Sequence, residues 1–207
     1  MLSEWLRAKA EGIRAPLGRA LGRWGVSPNA LTVAGYLLNV LVMYVLATGR
    51  LQLGGILVAA AGVFDALDGA VARATGRTST FGAFFDSVTD RYSEATVLFG
   101  LFLWYQQAGA RLETALIYIA VVGSLMVSYA RARAEGLGLQ CKTGLLTRLE
   151  RVALLAIGLI AQQVQLALWA TAVLSNVTAL QRTYHVWRET RAMSQPGQRN
   201  DSGSQAR

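Results

Sequence analysis

The sequence predicts an all-α polytopic membrane protein, with six transmembrane helices preceded by an amphipathic helix in the membrane interface. Three observations carry this. Of 207 residues, 53% are hydrophobic and only 15% charged, which is apolar for a soluble domain. The apolar residues gather in long runs, and a spanning helix needs roughly 20 of them. Eighteen of the twenty Lys and Arg then fall on one side of those helices, leaving only Arg50 and Arg111 for the other, the asymmetry of a membrane protein with its cytoplasmic face basic. The net charge of +8 therefore reports orientation and contact with anionic headgroups, and nucleic acid is not an expected partner. A single cysteine, Cys141, excludes an internal disulfide, and one His with one Cys argues against a zinc site.

Taken in order, Leu2, Trp5, Leu6, Ile13, Leu17, Leu21 and Trp24 recur at helical spacing, with basic residues largely between them. Residues 2–24 thus read as a helix in the headgroup plane, interrupted near Pro16. No continuous apolar stretch or small-residue cleavage site marks them as a signal peptide. Ser27-Pro28-Asn29 breaks this helix, and Asn29 is expected to cap the first span. Spans are predicted at about 30–48, 52–73, 81–105, 113–133, 146–161 and 165–187. The turn Gln162-Gln163-Val164-Gln165 has neither Gly nor Pro, but fusing 146–187 into one helix would put the basic C-terminus on the wrong side. Both termini and the 73–80 and 134–145 loops are then cytoplasmic, in the plasma membrane. Residues 1–192 form one domain without internal repeats, and the Gln-, Ser-, Gly- and Arg-rich tail 193–207 is expected to be disordered. Trp104, Tyr105 and Trp187 read as interface anchors, and His185 as an interfacial residue rather than a ligand.

Five of the twelve acidic residues lie between 65 and 94: Asp65, Asp68, Asp86, Asp90 and Glu94. A charge at the centre of a bilayer costs roughly 2.5–3.5 kcal/mol even on lenient scales, so such residues persist when paired, wet or metal-bound. At about 100° per residue, Asp65 and Asp68 share a helix face with Gly69 and Ala72. Asp86 and Asp90 share another, with Gly82 one turn before them. Two helix ends joined by a short loop thus present carboxylates beside small residues. This all-oxygen set favours Mg²⁺, Mn²⁺ or Ca²⁺ over zinc. Two other readings stand beside a metal-bound catalytic site. One is an ion-transport pathway. The other is structural pairing with Arg73, Arg77 and Arg91, although the acids outnumber these arginines. Glu94 reads equally as a supporting partner of the site or as a pair for Arg91.

Written out, the segment is Asp65-Ala-Leu-Asp68-Gly69-Ala-Val-Ala72-Arg73, eight residues, Gly82, three residues, Asp86, three residues, Asp90. It matches in full the signature D-x2-D-G-x2-A-R-x8-G-x3-D-x3-D, and the chain is identified by it as resembling the CDP-alcohol phosphatidyltransferases. Eight fixed positions over 26 residues make this a specific signal. The resemblance implies six spans, a cytoplasmic-facing site and a homodimer. It implies two Mg²⁺ or Mn²⁺ ions, one held by Asp65, Asp68 and Asp86, the other by Asp65, Asp86 and Asp90. Asp90 would also be the base that takes the acceptor hydroxyl proton. Gly69, Arg73, Ser79 and the stretch Asn29-Ala30-Leu31-Thr32 resemble contacts to a CDP-diacylglycerol-type lipid donor, from which CMP leaves.

A second basic cluster bears on the acceptor. Arg131 and Arg133 end the fourth span, Arg148 and Arg151 start the fifth, and Arg182 lies within the sixth. Grouped at the cytoplasmic mouth, they suit an acceptor alcohol that carries its own phosphate. Within the family, Ser128-Tyr129-Ala-Arg131-Ala-Arg133-Ala-Glu135-Gly136, Arg148-Leu-Glu150-Arg151 and Gln181-Arg182 resemble the phosphatidylinositol phosphate synthases and their archaeal-lipid relatives. That branch reads Glu-Arg-Pro/Ala-Glu-Arg where this chain has Thr147-Arg148-Leu149-Glu150-Arg151. The expected reaction is transfer of a phosphatidyl or archaetidyl group to inositol phosphate in phospholipid biosynthesis. A glycerol 3-phosphate acceptor would use a similar pocket, and a cation transporter is the reading from a different class.

Overall fold

The computed structural model describes residues 27–75, 79–141 and 143–193, without the side chains of 66–75. The expected interfacial helix 2–24 and tail 194–207 lie outside the described residues, as do the side chains of Asp68, Gly69, Arg73, Arg77 and Lys142.

The described residues form six α-helices: α1 Pro28–Ala47, α2 Leu51–Thr75, α3 Thr80–Gln107, α4 Arg111–Gly136, α5 Arg148–Ile160 and α6 Val164–Met193. Their principal contacts are α1 with α2 and α3, α4 with α3 and α6, and α5 with α2 and α6. The helices therefore close into a ring in the order α1, α2, α5, α6, α4, α3.

Inside the ring one apolar core gathers Leu46 of α1, Val58 of α2, Leu98 and Leu101 of α3, Ile117 of α4, Leu159 of α5 and Leu168 of α6. Outside it, Leu37, Leu41, Ile56, Val63, Phe99, Ile119, Leu166 and Val173 are exposed. An apolar belt of that extent is poorly tolerated in water and suits a lipid surround. Two helices, α1 and α4, are long and apolar enough by themselves to cross a bilayer, and Leu51–Asp65 is a shorter apolar stretch. Helices α1 and α3 approach backbone to backbone, since a Cβ on Gly100 would lie 2.5 Å from the Met43 carbonyl oxygen. Any larger residue there would force the two helices apart.

The helix ends show how local chemistry sets the boundaries. The α1 cap is Ser27, not Asn29: Ala30 N–H donates to Ser27 Oγ at 3.2 Å, and Pro28 occupies the first turn. Proline is pre-organised for that position, and its missing N–H is no loss there. Ser79 caps α3, accepting from Gly82 N–H at 2.9 Å. At α5 the Thr147 N–H donates to Glu150 Oε2 at 2.5 Å, so Glu150 caps its own helix. The α5–α6 connection is a tight turn with Gln162 at φ 58, which separates the two helices without a glycine.

Candidate active site

The carboxylates meet two arginines of the second basic cluster, Arg148 and Arg151, inside the ring. Asp65 lies near the C-terminal part of α2, Asp86 and Asp90 in the first turns of α3, and Arg148 at the first residue of α5. Arg148 Nη2 donates to Asp65 Oδ2 at 2.6 Å, and its Nη1 lies 2.9 Å from Asp90 Oδ1. One guanidinium thus joins carboxylates of two helices that are not principal neighbours. Asp90 is attracted by Arg148 and Arg91 and repelled by Asp86 and Asp65. All three side chains of the bridge remain partly exposed, at 18–30%. The Asp65 carboxylate also leans on α1, since a Cβ on Gly35 would lie 2.8 Å from Asp65 Oδ1.

Directly beneath is a second, closed cluster. Glu94 accepts from Arg151 Nε at 2.6 Å, from Arg151 Nη2 at 2.7 Å and from Ser124 Oγ at 2.8 Å. The Arg151 side chain is 1% exposed. Glu94 therefore pairs with Arg151 of α5, while Arg91 donates to the Ser87 carbonyl and lies 4.0 Å from Asp90. The sequence left Glu94 open between supporting the site and pairing with Arg91. An isolated acid in an apolar run signals a buried partner, but the partner lies 57 residues away. A small cavity of about 30 Å³ separates the two clusters, lined by Asp65, Ser93, Glu94, Arg148, Arg151 and Thr171 among others.

The five arginines expected to receive an acceptor phosphate are not brought together as an open pocket. Arg151 is consumed by Glu94. Arg182, 4% exposed, donates from Nε to the Thr143 carbonyl at 2.9 Å and from Nη1 to the Val127 carbonyl at 2.6 Å. With Thr178 Oγ1, which accepts from Leu146 N–H at 3.2 Å, it docks the 137–147 loop onto α6. Gly144, at φ 144, passes so near Thr178 that a Cβ would lie 2.7 Å from Thr178 Cγ2. Both buried arginines, expected to meet a phosphate, are instead satisfied by protein acceptors. Arg131 pairs with Glu135 on the surface at 2.8 Å, and Arg133 is exposed. Arg148 is engaged by the aspartates. His185 lies by the Gln140 carbonyl at 3.1 Å and Glu189 at 3.5 Å, away from the site.

Of the expected donor contacts, Asn29 and Ser79 converge. A Cβ on Gly82 would lie 2.9 Å from Ser79 Oγ and 3.3 Å from Asn29 Oδ1, so the start of α1 faces the start of α3 across a glycine. Thr32 donates to the Pro28 carbonyl at 3.2 Å, and both Leu31 and Thr32 are buried. Ala30 is exposed. The backbone of Asp68, Gly69 and Arg73 continues α2 toward this end.

Among the described residues no three carboxylate, imidazole or thiol groups are assembled as a ready metal cluster. The chemistry of the donor set nevertheless fits a hard divalent ion. Asp65 and Asp90 converge on one cationic point, Asp86 stands one turn before Asp90, and Asp68 follows Asp65 by three residues. All are oxygen donors, and neither cysteine nor histidine is near.

Comparison with known proteins identifies the family. The family profile of the CDP-alcohol phosphatidyltransferases matches residues 25–180. An archaetidylinositol phosphate synthase of Pyrococcus horikoshii is 38% identical over 89% of this chain and 95% of its own. A phosphatidylinositol phosphate synthase of Mycobacteroides abscessus is 36% identical over 84% of this chain and 83% of its own. Among solved structures, phosphatidylinositol phosphate synthase of Mycobacterium tuberculosis with CDP-DAG bound superposes with a TM-score of 0.80 at 31% identity, covering 91% of this chain and 98% of that one. The same enzyme in complex with manganese and citrate gives 0.79 at 31% identity, covering 91% and 92%. With the signature complete between Asp65 and Asp90 and the profile spanning most of its length, the chain belongs to the CDP-alcohol phosphatidyltransferase family, a family of membrane enzymes.

Proposed function

We propose that this enzyme transfers a phosphatidyl or archaetidyl group from a CDP-linked lipid to inositol phosphate, releasing CMP. The observation that carries the reading is the convergence of Asp65 and Asp90 from separate helices onto a single cationic point. It is supported by the resemblance to synthases named for phosphatidylinositol phosphate and archaetidylinositol phosphate.

Asp65, Asp68, Asp86 and Asp90 would hold two divalent ions, Mg²⁺ or Mn²⁺, which neutralise the donor pyrophosphate and polarise the reacting oxygens when bound. Asp90 accepts the proton of the acceptor hydroxyl. An ordinary aspartate titrates near 3.9, far below an alcohol, so this transfer depends on the hydroxyl being acidified at the same site. Asn29, Ser79 and Gly82 form the floor against which the nucleotide lies, with Ala30, Leu31, Thr32, Gly69 and Arg73 completing the donor site. Arg73 would offer a planar guanidinium fork to the phosphates. With Arg151 and Arg182 engaged by protein acceptors, the acceptor phosphate falls to Arg148, Arg133 and Arg131.

The six helices are taken as six spans of one domain covering 1–192, with the site and both termini on the cytoplasmic side of the plasma membrane and the chain acting as a homodimer. The cytoplasmic assignment rests on the positive-inside asymmetry. A panel of acceptors with one labelled CDP-lipid tests the reading: CMP release should be strongest with inositol phosphate. Preference for glycerol 3-phosphate would reassign the acceptor, and preference for a neutral alcohol would remove the phosphate from the argument. Metal flux into liposomes without CMP release would favour transport over transfer.

A further inference from the structure

We propose that Arg148 is a cation-responsive arm: its guanidinium bridges Asp65 and Asp90 until a divalent ion takes those carboxylates, and it is then released toward the anionic part of the substrates. The proposal rests on the metal-dependent reading above.

Three features of the bridge support it. The guanidinium is held only at its far end, through Nη1 and Nη2, while Nε is buried with no hydrogen-bond partner. Arg151, one turn later, has Nε and Nη2 both fixed on Glu94. Arg148 is also 30% exposed against 1% for Arg151, so it has water to move into. Finally, one positive charge faces at least two carboxylates, and a divalent ion neutralises them more fully than a guanidinium does. Arg148 and the ion compete for the same oxygens, Asp65 Oδ2 and Asp90 Oδ1.

Displacement would leave Arg148 at the first residue of α5, whose end is already capped by Glu150, so the freed guanidinium itself would supply the positive charge for an anion. Its backbone position is held by the Glu94–Arg151 pair, so the arm would move while its anchor stayed fixed. The acceptor phosphate would gain its arginine only after the ion had entered, which orders binding as cation first and phosphorylated acceptor second.

The test uses the purified full chain in detergent, with Mn²⁺ and no substrate. Mn²⁺ binding, read by electron paramagnetic resonance, should tighten at least fivefold in Arg148→Gln, a factor at the low end of ordinary site–site coupling. In the unmutated protein, phenylglyoxal labelling read by peptide mass spectrometry should rise severalfold at Arg148 on adding Mn²⁺ and stay low at Arg151. Unchanged or weaker Mn²⁺ binding in Arg148→Gln overturns the proposal. Should that variant misfold, labelling of the unmutated chain decides alone, and no rise at Arg148 overturns it. Failure of the unmutated protein to bind Mn²⁺ at all would instead sink the metal-dependent reading itself.

Discussion

Arg148 and Arg151 leave α5 one turn apart, and each meets carboxylates from across the ring, yet their surroundings differ in kind. Glu94 and Arg151 form a closed unit in which the carboxylate receives three donors and the arginine is enclosed. Asp65, Asp90 and Arg148 form an open one, partly wet and with a guanidinium nitrogen unpaired. Among apolar helices a fully satisfied ion pair acts as a crosspiece that fixes geometry. An incompletely satisfied one keeps the capacity to exchange partners. Conserving charge type at both places therefore says little about role; saturation and exposure distinguish scaffold from chemistry.

Substitutions in each cluster, with one outside both, separate their roles. Asp90→Asn should cut CMP release by about 10²–10⁴-fold, the usual span for losing a general base, while leaving the elution profile and thermal midpoint nearly unchanged. A parallel loss of folding would move Asp90 into the scaffold. Arg151→Met should do the reverse, costing about 3–5 kcal/mol of stability because it strands the buried Glu94 carboxylate. Combining it with Glu94→Leu should recover most of that loss in a detergent melting experiment. Ser124→Ala removes one of three donors to Glu94 and should cost roughly 1.5–3 kcal/mol, the range for a hydrogen bond to a charged group. Its turnover at permissive temperature should be unaltered. Arg131→Gln, which breaks an exposed i,i+4 pair with Glu135, should change stability by about 0.3–0.5 kcal/mol or less. The acceptor KM should nevertheless rise in that variant, and an unchanged KM would remove Arg131 from the acceptor site.

The sequence exposed the helices and the carboxylates far more clearly than the arginines. Asp65 to Asp90 is a local pattern: fixed spacing on two helices dictates which faces carry acid, and the fold need only bring those faces together. Partner choice is not local. The Arg148 and Arg151 contacts span 83 and 57 residues, and nothing in either segment names the other. Arg182 was expected to meet an acceptor phosphate, but it donates to the backbone carbonyls of Thr143 and Val127, which leave no mark in composition. The Asn29 cap failed for a simpler reason. A helix start placed at residue 30 made Asn29 the adjacent capping type, whereas Pro28 at the first turn moves the start back and gives the cap to Ser27. Gln162 shows the limit of punctuation rules, since a left-handed turn was made without the residues that usually announce one.

The order in which helices close the ring differs from the order in which they are synthesised. Asp65 is made 83 residues before the arginine that neutralises it. At about 5–20 residues per second a ribosome needs roughly 4–17 s to cover that distance. During this interval the arginine that meets Asp65 in the finished protein is still unmade. A charge at bilayer depth is costly, so a nascent α2 that enters the membrane is expected to keep its acidic end in the aqueous headgroup layer until α5 follows.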